Sequence, residues 1–285
     1  MTAVDPALDT ALDTAPLGAS LDTAVGLAGP GALVVHSHDV VDARDDLLGF
    51  GGLHGGLALA LVARSMQDHA GGLALRSVTG RYLRPARGTL TVETDLVRGG
   101  ERVAFTSGTV QCEAPDGTRR VVLEAAATFG VGETTPDHAP VAPDAPGPES
   151  CPVFTIPLDF VPFAVHTEIR PVTDARPFAG GADPELVAWI RLVEDDESPD
   201  LARLIVLADA LAPAHSALLA TPTLVPTVEL TVRPGVGLGR NTSPWVLAHV
   251  RTHGAAQGWI DESIDLFDPE GRHLASAQQL RVALT

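Results

Sequence analysis

The sequence predicts an α+β protein of two similar halves, in which two antiparallel sheets are each wrapped around a long central helix. An apolar helical segment followed by four strand-like segments occurs twice in the 285 residues. The last hairpin of each half has a related turn, APDG at 114–117 and DPEG at 268–271. A Pro-rich, acidic stretch without periodicity at 132–154 is typical of a stiff linker. We therefore expect one domain at 29–131 and a second at 155–285.

The sequence of the N-terminal region predicts little ordered structure before the first domain. Residues 1–28 repeat a short unit (ALDT, ALDT, SLDT) and contain too few bulky side chains for a core. We therefore expect a mobile extension. Residues 32–41 (ALVVHSHDVV) then predict a strand.

The first central helix is predicted at 49–72. Leu53, Leu57 and Leu61 recur at helical spacing, alanines fill most other positions, and Gly71 is a stop signal. Because a helix this apolar needs cover on several sides, we expect a sheet to wrap it. The strands of that sheet, each bounded by Gly or Pro turn signals, are predicted at 73–83, 89–98, 102–113 and 118–131.

The second half repeats this order, with two strands placed before its helix. These strands are predicted at 159–171 and 185–193, and the helix begins at Asp200. The strands after the helix are predicted at 223–233, 243–251, 258–267 and 272–284.

The composition excludes several classes of protein. The net charge of −17 argues against nucleic acid or an anionic membrane as the main partner, although a few local arginines suffice for a small anionic ligand. No apolar run reaches the roughly 18 residues that a membrane-spanning helix needs. The N-terminus lacks a basic region followed by an apolar core, so we expect a cytoplasmic protein. Two cysteines, neither in a CxxC pair, are too few for a disulfide framework.

One carboxylate of the second half lies where a functional role is expected. At about 100° per residue, the apolar residues after Asp200 form one stripe of a helix, and Asp209 lies on the flank of that stripe. Partial burial suits a carboxylate to general base work, whereas a solvated helix edge would make it an ordinary surface residue. Thr227 begins the next strand, after a connection that prolines interrupt.

Several segments together resemble a known family. In the first half they are GGLHGGLALALVARSM and the strand sequences after it, and in the second they are LADALAPA, VPTVELTVR and DPEGRHLASAQQLRVAL. Through these segments, residues 45–285 resemble the acyl-CoA thioesterase II-like family of the thioesterase superfamily. The resemblance implies a double hotdog fold, and a hydrolase of lipid metabolism that cleaves acyl-CoA to free acid and CoA. It requires no metal and no cofactor.

The resemblance also implies which residues hold the hydrolytic water. Asp209 would accept a proton from the water, while Thr227 and Gln279 would orient it by hydrogen bonds. Gln278 is adjacent to Gln279, and the alternation of apolar residues on the last strand favours Gln278 as the inward residue. The register of this strand therefore stays open.

The internal repeat predicts a single active site. Aligning the halves on their Arg-Pro dipeptides and on their turn glycines gives offsets of 149 (84 to 233) and 154 (117 to 271). The three polar residues then correspond to Ala60, Val78 and Ala125. Because all three are apolar, we expect only the second half to carry the chemistry.

Further residues are predicted to contact the substrate. His54, Gly55 and Gly56 stand where the family often has GGQ or GGY, and backbone N–H groups at a helix start can stabilise an oxyanion. His54 would lie near the site or cap the helix. Arg84 and Arg233 are predicted to meet the phosphates of CoA. The implied partner is thus acyl-CoA, and a homo-oligomer is possible but not required, since a double hotdog resembles a dimer of single ones.

A metal site and a non-catalytic role are the alternatives. His36 and His38 share one face of the predicted first strand beside Asp39, but no third ligand is suitably spaced, so no metal is expected. The sequence contains no GxSxG or Walker-type motif. The rival function is a decayed double hotdog that binds acyl-CoA or acts as a scaffold without hydrolysis. Polar groups at all three implied positions favour the hydrolase.

Overall fold

The computed structural model describes residues 39–114, 116–133, 135–193 and 197–284. The predicted N-terminal extension, His36 and His38 lie outside these residues. Within them, eleven strands form one antiparallel sheet that packs against two α-helices, α1 (Gly55–Gln67) and α2 (Leu201–Asp209). The strands are β1 (Asp39–Ala43), β2 (Leu75–Tyr82), β3 (Gly88–Arg98), β4 (Val103–Glu113), β5 (Arg119–Gly130), β6 (Thr167–Pro171), β7 (Glu185–Leu192), β8 (Thr227–Pro234), β9 (Val246–Ala256), β10 (Trp259–Phe267) and β11 (His273–Val282).

The two halves of the chain share one continuous sheet. Its strand order is β1-β3-β4-β5-β2-β8-β11-β10-β9-β7-β6. The sequence predicts two sheets, whereas the strands form one, because β2 and β8 pair antiparallel at the centre. The hydroxyls of Thr79 and Thr231 lie 2.8 Å apart across this pairing. Pairing removes two inner strand edges whose N–H and C=O groups would otherwise be open.

α1 begins six residues after its predicted start at 49. The His54 side chain caps it, since Nδ1 accepts the Leu57 N–H at 3.3 Å. Residues 49–54 form a loop before this cap. On the sheet beneath the helix, a Cβ at Gly108 would lie 2.7 Å from the Val62 side chain. Glycine at this position therefore lets the sheet curve close around α1.

α2 is shorter than the predicted long helix. It begins after Asp200, whose carboxylate accepts the Arg203 N–H at 2.9 Å. It ends at Asp209, and Pro213 prevents its continuation, so the chain proceeds as the 3-10 helix Ala214–Leu218. The short helix places Asp209 at its C-terminal end.

The segment Leu201–Leu218 is apolar for a reason that the fold explains. By length and by its mean hydropathy of 1.4 alone it meets the criteria for a membrane span, although the sequence predicts no such span anywhere in the chain. In this fold 56% of the segment is buried inside the protein, and Leu204 and Val206 are fully covered. Its central apolar side chains are therefore core residues.

Strand pairing revises the correspondence between the halves. Leu230 lies opposite Gln279, as Val78 lies opposite Ala127, so a single offset of 152 residues (230 − 78 and 279 − 127) fits both pairings. The residues that correspond to Asp209, Thr227 and Gln279 are then Leu57, Leu75 and Ala127, in place of Ala60, Val78 and Ala125. All three are buried and apolar. The first half therefore lacks a polar copy of the site, whether the halves are aligned by sequence or by strand pairing.

The Pro-rich stretch packs against the sheet face opposite α2. The Trp189 indole N–H donates to the Pro146 carbonyl at 2.8 Å. Cys151 packs with Trp189, Trp245 and Phe267 in a cluster separate from the main core.

Candidate active site

The site is built around the Asp209 carboxylate, where α1 and α2 meet. Asp209 is the last residue of α2, and its side chain is only 7% exposed. Its Oδ2 accepts the Gly56 N–H at 2.8 Å, in the first turn of α1. The N–H groups at a helix start lack intrahelical partners and carry partial positive charge. The start of α1 therefore stabilises the negative charge of a side chain from the other half.

Thr227 and Gln279 both bind the second oxygen of this carboxylate. Asp209 Oδ1 accepts the Thr227 hydroxyl at 3.0 Å and also the amide N–H of Gln279. The Gln279 Nε2 lies 3.2 Å from Thr227 Oγ1 as well. The fold thus brings Asp209, Thr227 and Gln279 into direct mutual contact, from α2, β8 and β11.

The last strand turns Gln279 inward and Gln278 outward. Gln279 is 1% exposed, whereas Gln278 is exposed. On β11, His273 and Ala275 pair with consecutive residues of β10, so Leu274 is an extra residue in a β-bulge. A bulge inverts the alternation of a strand. The buried Leu274 therefore does not indicate which later residues face inward. The apolar alternation also misled because Leu280, which has the parity of Gln278, is 38% exposed.

His54 lies against the site as a neutral ring. Its Nδ1 accepts the Leu57 N–H, so Nε2 carries the proton and donates to the Asp209 backbone carbonyl at 3.2 Å. The ring stacks on Phe163 with centroids 3.9 Å apart. Burial lowers the pKa of His54 below its ordinary value, with a smaller effect in the same direction from Arg281, while Asp209 opposes it.

Tyr82 anchors the first residue of α1. Its hydroxyl donates to the Gly55 carbonyl at 2.9 Å. Burial raises the pKa of Tyr82 well above its ordinary value, and the nearby Asp209 carboxylate raises it further. The phenol therefore stays protonated and keeps donating to the start of α1.

The two glycines of α1 allow the helices to meet. A Cβ at Gly56 would lie 2.8 Å from the Ile205 carbonyl oxygen and 2.9 Å from Asp209 Cβ. A Cβ at Gly55 would lie 2.6 Å from Asp209 Oδ2. Among the described residues, no acceptor takes the Gly55 N–H. Gly55 therefore offers one unoccupied backbone donor beside the carboxylate.

A large apolar cavity opens beside Asp209 and Thr227. Its volume is about 730 Å³, within the range of small-molecule sites. Residues from both halves line it, and His54, Gly55 and Tyr82 lie at its polar end with Asp209. Five phenylalanines contribute to its apolar wall: Phe50, Phe154, Phe160, Phe163 and Phe178. Gln279 lies behind Asp209 and Thr227 and does not line the cavity.

The two arginines predicted to bind CoA lie in different places. Arg84 is exposed and lines the cavity, and its Nη1 donates to the Val121 carbonyl at 2.8 Å. Arg233 is exposed on β8 and does not line the cavity, so its contact with a CoA phosphate stays a prediction. It follows Thr227 by six residues, which separates the two by roughly 20 Å along a strand.

The prediction missed a buried ion pair next to Gln279, and the arginine of this pair also lines the cavity. Arg281 is 3% exposed, and its Nη2 donates to Gln279 Oε1. Its Nε lies 3.0 Å from Glu262 Oε2, although the N–H does not point along this line, so the contact is ionic. The signal was available, because a strand that turns Gln279 inward also turns residue 281 inward.

The polar groups around Asp209 donate hydrogen bonds to it. In the described parts of the chain, no cluster of three or more His, Cys, Asp or Glu side chains is arranged to hold a metal ion. The donors around Asp209 are instead a backbone N–H, a hydroxyl and an amide.

Both halves of the chain match one family of enzymes. Residues 44–130 match the acyl-CoA thioesterase N-terminal domain, and residues 136–283 match the acyl-CoA thioesterase C-terminal domain. The same chain has no significant match among curated proteins.

Solved structures share the fold over nearly the whole chain. A conserved protein of unknown function with a hot dog fold from Alicyclobacillus acidocaldarius is 25% identical, with a TM-score of 0.78, covering 93% of this chain and 98% of that one. A putative thioesterase II from Thermobifida fusca is 22% identical, with a TM-score of 0.73 and coverage of 88% and 94%. An acyl-CoA thioesterase II from Mycobacterium marinum is 16% identical, with a TM-score of 0.69 and coverage of 93% and 98%.

Proposed function

We propose that this chain, which belongs to the acyl-CoA thioesterase family and is a thioester hydrolase, cleaves acyl-CoA with a water molecule that Asp209 activates together with Thr227 and Gln279. One observation carries the proposal. A nearly buried carboxylate beside an apolar cavity accepts hydrogen bonds from a helix N-terminus, a hydroxyl and an amide. Such fixed donors hold a base in one orientation, which is the main requirement for catalysis by positioning.

In this mechanism Asp209 acts as the general base. Its carboxylate has about four lone-pair directions, and three described donors leave one of them for the water. As the water oxygen attacks the thioester carbonyl carbon, its proton passes to Asp209. The carbon–sulfur bond then breaks, and CoA leaves as a thiol once it has taken up a proton. Thr227 faces the cavity and Gln279 lies behind it, so Gln279 acts by holding Asp209 and Thr227 in place.

The Gly55 N–H is the proposed donor to the developing oxyanion. It lies at the first position of α1, lines the cavity, and has no acceptor among the described residues. Backbone donors at a helix start stabilise negative charge on a carbonyl oxygen without reorganisation. Tyr82 keeps this helix start fixed through the Gly55 carbonyl.

The apolar wall of the cavity is the proposed site of the acyl chain. Apolar side chains, including those of five phenylalanines, cover most of its surface. An acyl chain gains free energy by leaving water for such a wall, at roughly 25 cal/mol per Å² of buried apolar surface. Arg84, exposed where it lines the cavity, is the proposed contact for a CoA phosphate.

We also infer that the chain consists of two hotdog units joined side by side through β2 and β8. Each unit would comprise one helix and the strands of its half. The family matches support this division, since the first ends at residue 130 and the second begins at 136.

Thiol release from a panel of saturated acyl-CoAs of increasing chain length tests the proposed activity. We expect release from at least one of them, at a rate proportional to enzyme concentration. The rival function, acyl-CoA binding without hydrolysis, predicts saturable binding of the same panel by calorimetry with no release at any chain length.

A further inference from the structure

We propose that Arg281, held by Glu262, is a positioning residue that fixes the orientation of the Gln279 amide. This inference rests on the proposed function, because it explains how Gln279 comes to face Asp209 with its N–H groups. Arg281 is not assigned as a group that reacts. It acts through Gln279.

The contacts of Arg281 place it next to the amide oxygen of Gln279, at the wall of the cavity. Its Nη2 donates to Gln279 Oε1, and its Nη1 lies 3.4 Å from the Val225 carbonyl. The distance from Nη2 to Asp209 Oδ1 is 3.9 Å, longer than a hydrogen bond. The direct partner of the guanidinium in the site is therefore the amide oxygen rather than the carboxylate.

The orientation of the amide decides what it can do. Its oxygen and nitrogen ends have nearly the same shape, but only the nitrogen end can donate. If the amide turned over, Oε1 would face the Asp209 carboxylate and the hydroxyl of Thr227 would lose a donor. Arg281 has donors only, so it binds Oε1 and disfavours the reversed orientation.

Glu262 explains why an arginine is tolerated here. Its side chain is fully buried, and the charge of Arg281 balances its own. Glu262 Oε1 accepts the Thr252 hydroxyl at 2.9 Å and the His215 N–H at 3.1 Å, which holds the carboxylate in place. Glu262 at Nε and Gln279 at Nη2 together fix the orientation of the guanidinium.

A double-mutant cycle distinguishes action through Gln279 from direct action on the substrate. Because removal of Arg281 alone leaves a buried unpaired carboxylate, both charges are removed together in Glu262→Gln/Arg281→Met. This pair change is made in the wild type and in Gln279→Ala. For each protein kcat, KM and the thermal midpoint are measured with the best substrate.

The expected result is a dependence on Gln279. In the wild type the pair change is expected to lower kcat by about tenfold, the effect of losing one hydrogen bond to a charged group. KM is expected to stay within about twofold of the wild-type value. In Gln279→Ala the same change lowers kcat by less than about twofold, since the amide it orients is gone. An equal loss in both backgrounds, or no loss in the wild type, overturns the proposal.

Further variants show whether the loss of kcat is specific to this ion pair. Glu168→Gln/Arg170→Met removes two charges from a partly buried cluster in which Glu168 also binds Arg191, and neither residue lines the cavity, so kcat is expected to stay within about twofold. A wild-type rate in Asp209→Asn would reject the proposed function itself. Loss of activity in Asp209→Asn together with additive effects in the cycle would reject only the positioning role of Arg281. If the neutral variant does not fold, Arg281→Lys is measured in its place, because lysine keeps a cationic donor. Retained activity then supports the positioning role, and lost activity rejects it.

Discussion

The Asp209 carboxylate, from the end of α2, accepts the backbone N–H of Gly56 in the first turn of α1 at 2.8 Å. Through this hydrogen bond, the first half of the chain binds the carboxylate that the second half contributes. The C-terminal end of a helix is unfavourable for a negative charge, whereas the N-terminal end of another is favourable. The charge of Asp209 is therefore stabilised by the half that lacks its own polar copy of the site.

Gly56→Ala is expected to damage both activity and stability. The new Cβ would lie 2.8 Å from the Ile205 carbonyl oxygen and 2.9 Å from Asp209 Cβ, so the helices must separate. We expect a loss of about 1–3 kcal/mol in the free energy of unfolding, as for other overpacked sites, measured by denaturant titration, together with reduced kcat. In the control Gly132→Ala a Cβ meets nothing within 4 Å. Equal stability of the two variants would contradict the close approach.

Thr227→Val tests the hydroxyl that donates to Asp209. Valine keeps the shape but removes the hydrogen bonds to Asp209 and Gln279. We expect kcat to fall by about tenfold or more, since a bond to a charged group is lost, while Thr227→Ser retains most activity. Thr223→Val is the matched control, because Thr223 also lines the cavity but donates to the Thr221 carbonyl. A similar kcat for the two valine variants would count against the role of Thr227.

His54 is expected to make stability depend on pH. Because burial lowers its pKa in the folded protein, the unfolded chain binds a proton more readily, near pH 6.5. The stabilisation is therefore complete above about pH 6.5 and is lost as the pH falls through the folded pKa. Protonation would also put a hydrogen on Nδ1, where the Leu57 N–H now donates.

The variant His54→Asn isolates this effect. Asparagine can still cap α1 but does not titrate in this range. We expect unfolding free energies measured between pH 7.5 and pH 5 to decline less steeply in the variant than in the wild type. Parallel curves would mean that another group causes the decline.

Leu211→Ala is expected to shift the preferred acyl length. Leu211 lines the large cavity and also a small apolar pocket beside it, which Ile169, Leu186 and Ala188 help to line. Removing its side chain would connect the two spaces. We expect the ratio of kcat/KM for longer over shorter acyl-CoAs to rise by about tenfold, the scale of one methylene in an apolar pocket. Leu207→Ala removes a buried leucine that lines neither space, and should lower stability without changing that ratio.

Much of the fold could be predicted from periodicity and turn chemistry. The strand boundaries predicted for β2 to β5 lie within two residues of those in the structure, because Gly and Pro turn signals bound each strand. The start of α1 was less predictable. Glycines at 49–56 do not reveal which residue caps the helix, and the His54 side chain decides it.

The single sheet and the ion pair next to Gln279 could not be predicted from hydrophobic periodicity, because both depend on how the strands pair. Pairing of β2 with β8 joins residues about 150 positions apart, and nothing in either strand specifies the other as its partner. The inward direction of Gln279 depends on a bulge at Leu274, which shifts alternation by one residue. Without the register of β11, the sequence predicts that Arg281 is a surface residue.

The most direct measurement is kcat for Asp209→Asn with saturating acyl-CoA. Asparagine has the same shape and can still accept the Gly56 N–H, but it cannot take a proton from water. The proposed mechanism predicts a kcat at least about 100-fold below that of the wild type, the usual contribution of a general base, with acyl-CoA affinity nearly unchanged. A kcat within about threefold of the wild type would contradict it, since removing a general base costs far more.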